Sequence, residues 1–212
     1  MKPYTEDSFV DAGSLPALEP ILKSWLDVQR TYADAVGSDD GPAWCYQERT
    51  CIGFLSAAAW SCGGVTLEEW NTTRTKSPGE PSSRGRCDLY ISHNKKQFFI
   101  EAKLLPLPRF QYPEYPEYEL GLIRQKLENA VSDASALDWK NPAEKLGILF
   151  VVPVYYPGTH PADFDEDITE WLKRADTVQH SAMAWLFPQR KQIQGYQEPF
   201  SPGILLLART PQ

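Results

Sequence analysis

Two alternating stretches in the middle of the chain carry its most specific pattern. Across 86–92, Cys87, Leu89 and Ile91 alternate with Asp88, Tyr90 and Ser92. Across 98–104, Phe98, Ile100, Ala102 and Leu104 alternate with Phe99, Glu101 and Lys103. Side chains of a strand alternate between faces, so this spacing predicts two β-strands with Glu101 and Lys103 on one face. The polar residues between them predict a turn centred on Asn94 and Lys95, because Asn tolerates the left-handed conformation. A hairpin with that centre sets Asp88 directly opposite Glu101. A loop one residue longer or shorter would place them on opposite faces.

Other periodicities surround this hairpin. Trp44, Cys51, Ile52, Leu55 and Ala59 form an apolar stripe at helical spacing, predicting a helix over 43–62 that Gly63 and Gly64 end. Glu48 falls inside the stripe, where a carboxylate is costly unless it is paired or binds a metal; its other reading is a carboxylate of the helix's N-terminal turn, favoured by the helix dipole. Leu18, Ile21, Leu22, Trp25, Leu26 and Val28 predict an amphipathic helix over 14–36, with Ser14 as its cap and Pro16 in its first turn. That helix is expected outside the core. Residues 65–70 read as a strand, and 71–85, rich in Thr, Ser, Pro and Gly, as a mobile loop. Four prolines in 105–118 are expected to stop any regular ladder, leaving an ordered loop that covers a sheet edge or, in the second reading, tyrosines that stack on bases. A helix is expected over 119–138. The stretch 146–156 is apolar on both faces, as a central buried strand should be. Asp163 caps an expected helix over 164–175, and 181–187 and 203–208 complete the set as strands. The expected fold is a single α/β domain over 1–212, a mixed central sheet flanked by helices. Residues 1–40 form an N-terminal helical addition, 43–156 the core, and 157–212 a helix and strands completing the sheet.

The chemistry of the hairpin follows from its charges. Like charges directly opposite each other are destabilising. A divalent cation between Asp88 and Glu101 would relieve the repulsion. Oxygen-only ligands beside an ammonium suit Mg²⁺ or Mn²⁺ and not Zn²⁺. Lys103, next to Glu101 on the same face, could hold or deprotonate a water. Two carboxylates, a hard cation and a positioned water are suited to phosphodiester hydrolysis.

Asp88, the Glu101-Ala102-Lys103 run on the following strand, and Glu48 on a preceding helix resemble the PD-(D/E)XK nuclease superfamily, the restriction-endonuclease-like phosphodiesterases. The resemblance covers about residues 43–156. It implies a core of helix, three-stranded meander, helix and strand, to which the N-terminal helix is added. It also implies that Asp88 and Glu101 hold the metal, that Lys103 serves the water, and that Glu48 is a further acid of the site. Gln125 is the match to a polar residue that many members carry on the second helix. Members often have proline before the aspartate, and Cys87 stands there in this chain.

Composition bounds the function. With 212 residues and 42% hydrophobic content, the chain has material for one large domain with a sizeable core. It contains no run of about 18 apolar residues, so no membrane span is expected. No signal peptide is expected from its start. Cys45, Cys51, Cys62 and Cys87 lack a C-x-x-C spacing, and they read as reduced and buried, which suits the cytoplasm. His93, His160 and His180 form no ligand pattern, and His93 reads as a turn residue. No phosphate-binding glycine loop, Gly-x-Ser-x-Gly or nicotinamide fingerprint is present.

Nucleic acid, DNA before RNA, is the expected partner, but the net charge is −7. Binding to phosphates draws on a local footprint of Lys and Arg. Arg74, Lys76, Arg84, Arg86, Lys95, Lys96, Lys103, Arg109, Arg124 and Lys126 are expected to gather near the site. The acidic balance leaves room for a small footprint, a protein partner or second copy, or a lost activity. The alternative to a nuclease is therefore a nuclease-like fold used as a non-catalytic binding or regulatory subunit.

Overall fold

A computed structural model describes residues 2–36, 42–74, 83–109, 115–138, 143–158, 161–188, 190 and 198–211. Its strands are β1 (Ser8–Asp11), β2 (Val65–Arg74), β3 (Ser83–His93), β4 (Lys96–Arg109), β5 (Leu137–Asp138), β6 (Glu144–Tyr155), β7 (Ala182–Leu186) and β8 (Ile204–Arg209). They form one mixed sheet in the order β1-β7-β8-β6-β4-β3-β2-β5. Among the described residues β4 and β6 are the one parallel pair, joined by a helical crossover. Among the described residues four α-helices flank the sheet: α1 (Glu19–Val36), α2 (Glu48–Ser61), α3 (Tyr115–Ser135) and α4 (Phe164–Ala175).

The hairpin forms as its alternation implies. His93 pairs with Lys96 across a two-residue turn, and Asn94 and Lys95 both take positive φ, 48° and 63°. Two such residues are what a type I′ turn requires. The register runs to Leu89↔Ile100, so Asp88 and Glu101 are the next opposed positions. Leu89, Ile91, Phe98, Ile100 and Ala102 pack against α1 and α2 in one core layer. Leu105 and Leu107 lie in the other layer, beneath α3 and α4. Gly147 lets α3 lie close on β6, because a Cβ there would meet the Val131 amide at 2.4 Å.

Several expectations are corrected. The N-terminal helix is no external addition: Leu18, Ile21, Leu22, Trp25 and Leu26 are buried in the first core layer. It begins as a 3₁₀ turn, Pro16–Leu18, and Ser14 does not cap it. The helix expected over 43–62 is a 3₁₀ turn, Ala43–Cys45, followed by α2, which puts Glu48 in the first turn of a helix and not within its stripe. The expected loop 71–85 is strand at both ends, and only 75–82 lies outside the described residues. His93 is a buried strand residue. Cys51 and Cys87 are buried, but Cys45 is exposed and Cys62 half-buried; all four are free thiols. Among the described residues no helix is long and apolar enough to cross a membrane.

The prolines of β4 do not stop its ladder. Pro106 and Pro108 lie opposite Val152 and Val154 of β6. Amides two residues apart on a strand point the same way. The amides of Ala102 and Leu104 point away from β6, toward acceptors on the other side. Positions 106 and 108 continue that row, so their missing N–H groups cost the β4–β6 ladder nothing.

Candidate active site

The site is built at a fork. Past Leu89↔Ile100, β3 and β4 no longer pair. Asp88 fills the opening, its Oδ2 accepting from the Ala102 N–H at 2.8 Å. Glu48 reaches in from α2, its Oε2 accepting from the Leu104 N–H at 2.9 Å. Two carboxylates thus occupy consecutive outward amides of β4. The Cys87 thiol donates to the carbonyls of Leu89 and Ile100 at 3.3 and 3.4 Å, fastening the last ladder pair. Burial pushes that thiol up to about 12, so it is a structural group and not a nucleophile.

β3 is also released on its other side. Glu69 of β2 stands opposite Asp88, between the pairs Glu68↔Leu89 and Trp70↔Cys87, with φ 53°. A non-glycine residue in that conformation costs about 1–2 kcal/mol. Strain of this kind clusters at functional sites.

Glu101 is 2% exposed, and its Oε1 accepts from Arg74 Nη2 at 2.6 Å. Burial pushes its carboxyl from 4.5 up to about 7; Arg74 and Lys103 oppose the rise and Asp88 adds to it. Lys103 Nζ lies 2.8 Å from Asp133 Oδ2 on α3. Burial pulls the Lys103 ammonium down, but Asp133, Asp88 and Glu48 outweigh it and hold the proton on. Lys103 is therefore a firm cation, suited to holding a water or phosphate oxygen and unsuited to taking a proton. Arg74 lies in the field of Glu101, Asp133 and Asp88. Four carboxylates, Glu48, Asp88, Glu101 and Asp133, thus meet two cations, Arg74 and Lys103. Fully ionised, this cluster is two positive charges short.

Asp88 and Glu101 are oxygen donors, the kind that a hard divalent cation takes. Among the described residues no three His, Cys, Asp or Glu side chains converge as a ready metal cage. Mg²⁺ does not need one, because it is usually held by one or two carboxylates and keeps several waters. Asp88 and Glu101 are the opposed pair that could hold it.

Gln125, the match to the second-helix polar residue, makes no hydrogen bond to the cluster among the described residues. Gln125 is on the exposed side of α3, and Asp133, eight residues or about 12 Å further along the helix, meets Lys103 instead. Half of the expected cationic footprint is spent on acids: Arg74 and Lys103 within the cluster, and three more outside it. Arg86 pairs with Glu69, Lys96 with Glu144, and Arg109 with Glu119 and Asp167. Lys96 also lies five strand positions from Glu101, about 17 Å away. Lys76 lies outside the described residues, as does Tyr112. Beside Arg74 an open groove of about 480 Å³ runs along β2 and β3, lined by Asn71, Thr72, Thr73, Arg84, Gly85 and Asp138.

Glu101 makes stability depend on pH. The folded protein keeps the proton up to about 7, and the unfolded chain releases it near 4.5. Between those values the folded state binds more protons, so stability falls as pH rises through the window. In EDTA, urea unfolding of the wild type should lose up to about 3 kcal/mol across that window relative to Glu101→Gln, which lacks the titration. Parallel pH profiles for the two proteins would show that the carboxyl is not perturbed.

A scan against protein-family models, a search of curated proteins and a search of solved structures each return no match for this chain.

Proposed function

We propose that the chain is a metal-dependent phosphodiesterase acting on nucleic acid, DNA before RNA, on a restriction-endonuclease-like core. The observation that carries this reading is the fork. It gathers Asp88, Glu101 and Lys103, with Glu48 at the same strand edge, in a cluster that, once Glu101 is ionised, is short by the charge of one divalent cation. The order of elements supports it too: α2, the meander β2-β3-β4, then α3, then β6 parallel to β4.

Asp88 and Glu101 would hold Mg²⁺ or Mn²⁺. A divalent cation there supplies neutralisation of the scissile phosphate and acidification of a water. The protein's own groups do the rest. Lys103, kept protonated by its acidic neighbours, orients a water or a phosphate oxygen at the fork. Asp133 fixes the Lys103 ammonium. Glu48 holds the edge of β4 through the Leu104 amide and adds to the negative field at Lys103.

The test is cleavage of a panel of single- and double-stranded DNA and RNA with Mg²⁺ or Mn²⁺, and with EDTA as control. Metal-dependent cleavage is the expected result. The second reading, a non-catalytic binding or regulatory subunit, is favoured by the −7 net charge and by the cations committed to carboxylates. Retention of a nucleic acid or protein partner without cleavage of any substrate would select it.

A further inference from the structure

Arg74 has an unusual position for a strand residue. It ends β2, yet its guanidinium crosses β3 to reach Glu101 on β4 at 2.6 Å. On the way it donates to the Arg86 carbonyl. The crossing depends on Gly85. A Cβ there would lie 2.7 Å from Arg74 Cδ and 2.8 Å from Cγ and Nε. No left-handed backbone demands glycine at this position, so the bare backbone serves as a bed for the arginine side chain.

The guanidinium sits on the carboxylate that a metal would use, within the field of Glu101, Asp133 and Asp88. A buried carboxylate needs a positive partner. In this state Arg74 is that partner, and it is only partly buried, with a 23% exposed side chain that lies over Gly85, a residue lining the open groove. An arginine so placed has somewhere to go.

We propose that Arg74 is an exchangeable counter-ion for Glu101, holding the carboxylate until a divalent cation takes its place. This rests on the metal-site reading given above. It adds that metal affinity is set by competition with a residue of the protein. The displaced guanidinium is then released into the groove lined by Thr72, Thr73 and Arg84, where it faces solvent and any bound phosphate.

The test is calorimetric titration with Mn²⁺ alone of the wild type, Arg74→Ala and Gly85→Ala. Arg74→Ala removes the competitor. Gly85→Ala leaves the charge in the chain but pushes the side chain out of its bed. Both should bind Mn²⁺ about tenfold more tightly, the factor expected if the competitor occupies the carboxylate nine-tenths of the time. The heat should vanish when Asp88→Ala is added to either. Thermal melts give a second reading: Mn²⁺ should raise the melting temperature more in both variants than in the wild type. If one variant fails to fold, the other decides the matter. Wild-type binding with unchanged or weaker affinity in the folded variants would overturn the exchange and leave the metal site standing. Heat that persists with Asp88→Ala would overturn it as well, by placing the ion elsewhere. No Mn²⁺ heat in any of the three would overturn both the exchange and the metal site beneath it.

Discussion

Lys103→Ala should lower metal-dependent cleavage by about 10²–10³-fold, the cost of removing one preorganised charge from a developing anion. Its Mn²⁺ affinity should change little, because the ammonium serves the water or phosphate and not the ion. Asp88→Ala should lose both cleavage and Mn²⁺ binding, because the opposed carboxylate pair is broken. The contrast is informative because both residues belong to one cluster and a merely electrostatic account would treat them alike. Calorimetry and initial rates on the same preparations check it. Cleavage at the wild-type rate in Lys103→Ala would move the chemistry to another part of the chain. Asp133→Asn should give a milder loss, since it frees the lysine without removing it.

Arg109→Ala should cost about 3–5 kcal/mol of folding stability, the typical penalty for orphaning a buried charge. Arg109 stands at the end of β4 and is 6% exposed. Its guanidinium bonds both oxygens of Glu119 on α3 and both of Asp167 on α4, the latter at 3.0 and 2.9 Å. It also lies 6.0 and 5.9 Å from the ring centres of Tyr155 and Trp171. The Tyr155 hydroxyl donates to Asp167 at 2.6 Å. Removing the arginine leaves Glu119, 1% exposed, without its countercharge. Replacing Arg109 and Glu119 together by Met and Leu should cost less than Arg109→Ala alone, because the buried Glu119 charge is then gone and the remaining Asp167 is partly exposed and keeps its bond from the Tyr155 hydroxyl. Chemical denaturation of the three proteins measures this. Equal costs for the single and double variants would mean that the network is solvated and weak.

The parts of this site legible in the sequence are those that obey a period. Alternation placed Asp88 and Glu101 one position beyond what is now the last ladder pair, Leu89↔Ile100, and Asn94 marked a turn of even length. The apolar stretch of β6 announced a central strand, and Asp163 announced the start of α4, where its Oδ1 accepts from the Glu166 N–H at 3.0 Å. What was not legible depends on tertiary direction. Pro106 and Pro108 read as breakers, because periodicity does not tell which way an amide points. Arg74 was one cation among ten, because only the β2–β3 register and the bare backbone of Gly85 carry it to Glu101. Asp133 was missed and Gln125 preferred, because the phase of a helix against a sheet is set by packing. The N-terminal helix showed its apolar face plainly, but not the layer that receives it. β1 and β5, of four and two residues, are too short to carry a period.

Asp88 and Glu101 are proposed to hold a divalent cation together at the fork between β3 and β4. Diffraction from a crystal soaked in Mn²⁺, at the manganese absorption edge, locates the ion. An anomalous peak is expected within bonding distance of one oxygen of Asp88 and one of Glu101, with Arg74 drawn off the Glu101 carboxylate. A fork without an anomalous peak at saturating Mn²⁺, with Arg74 still seated on Glu101, would contradict the proposal.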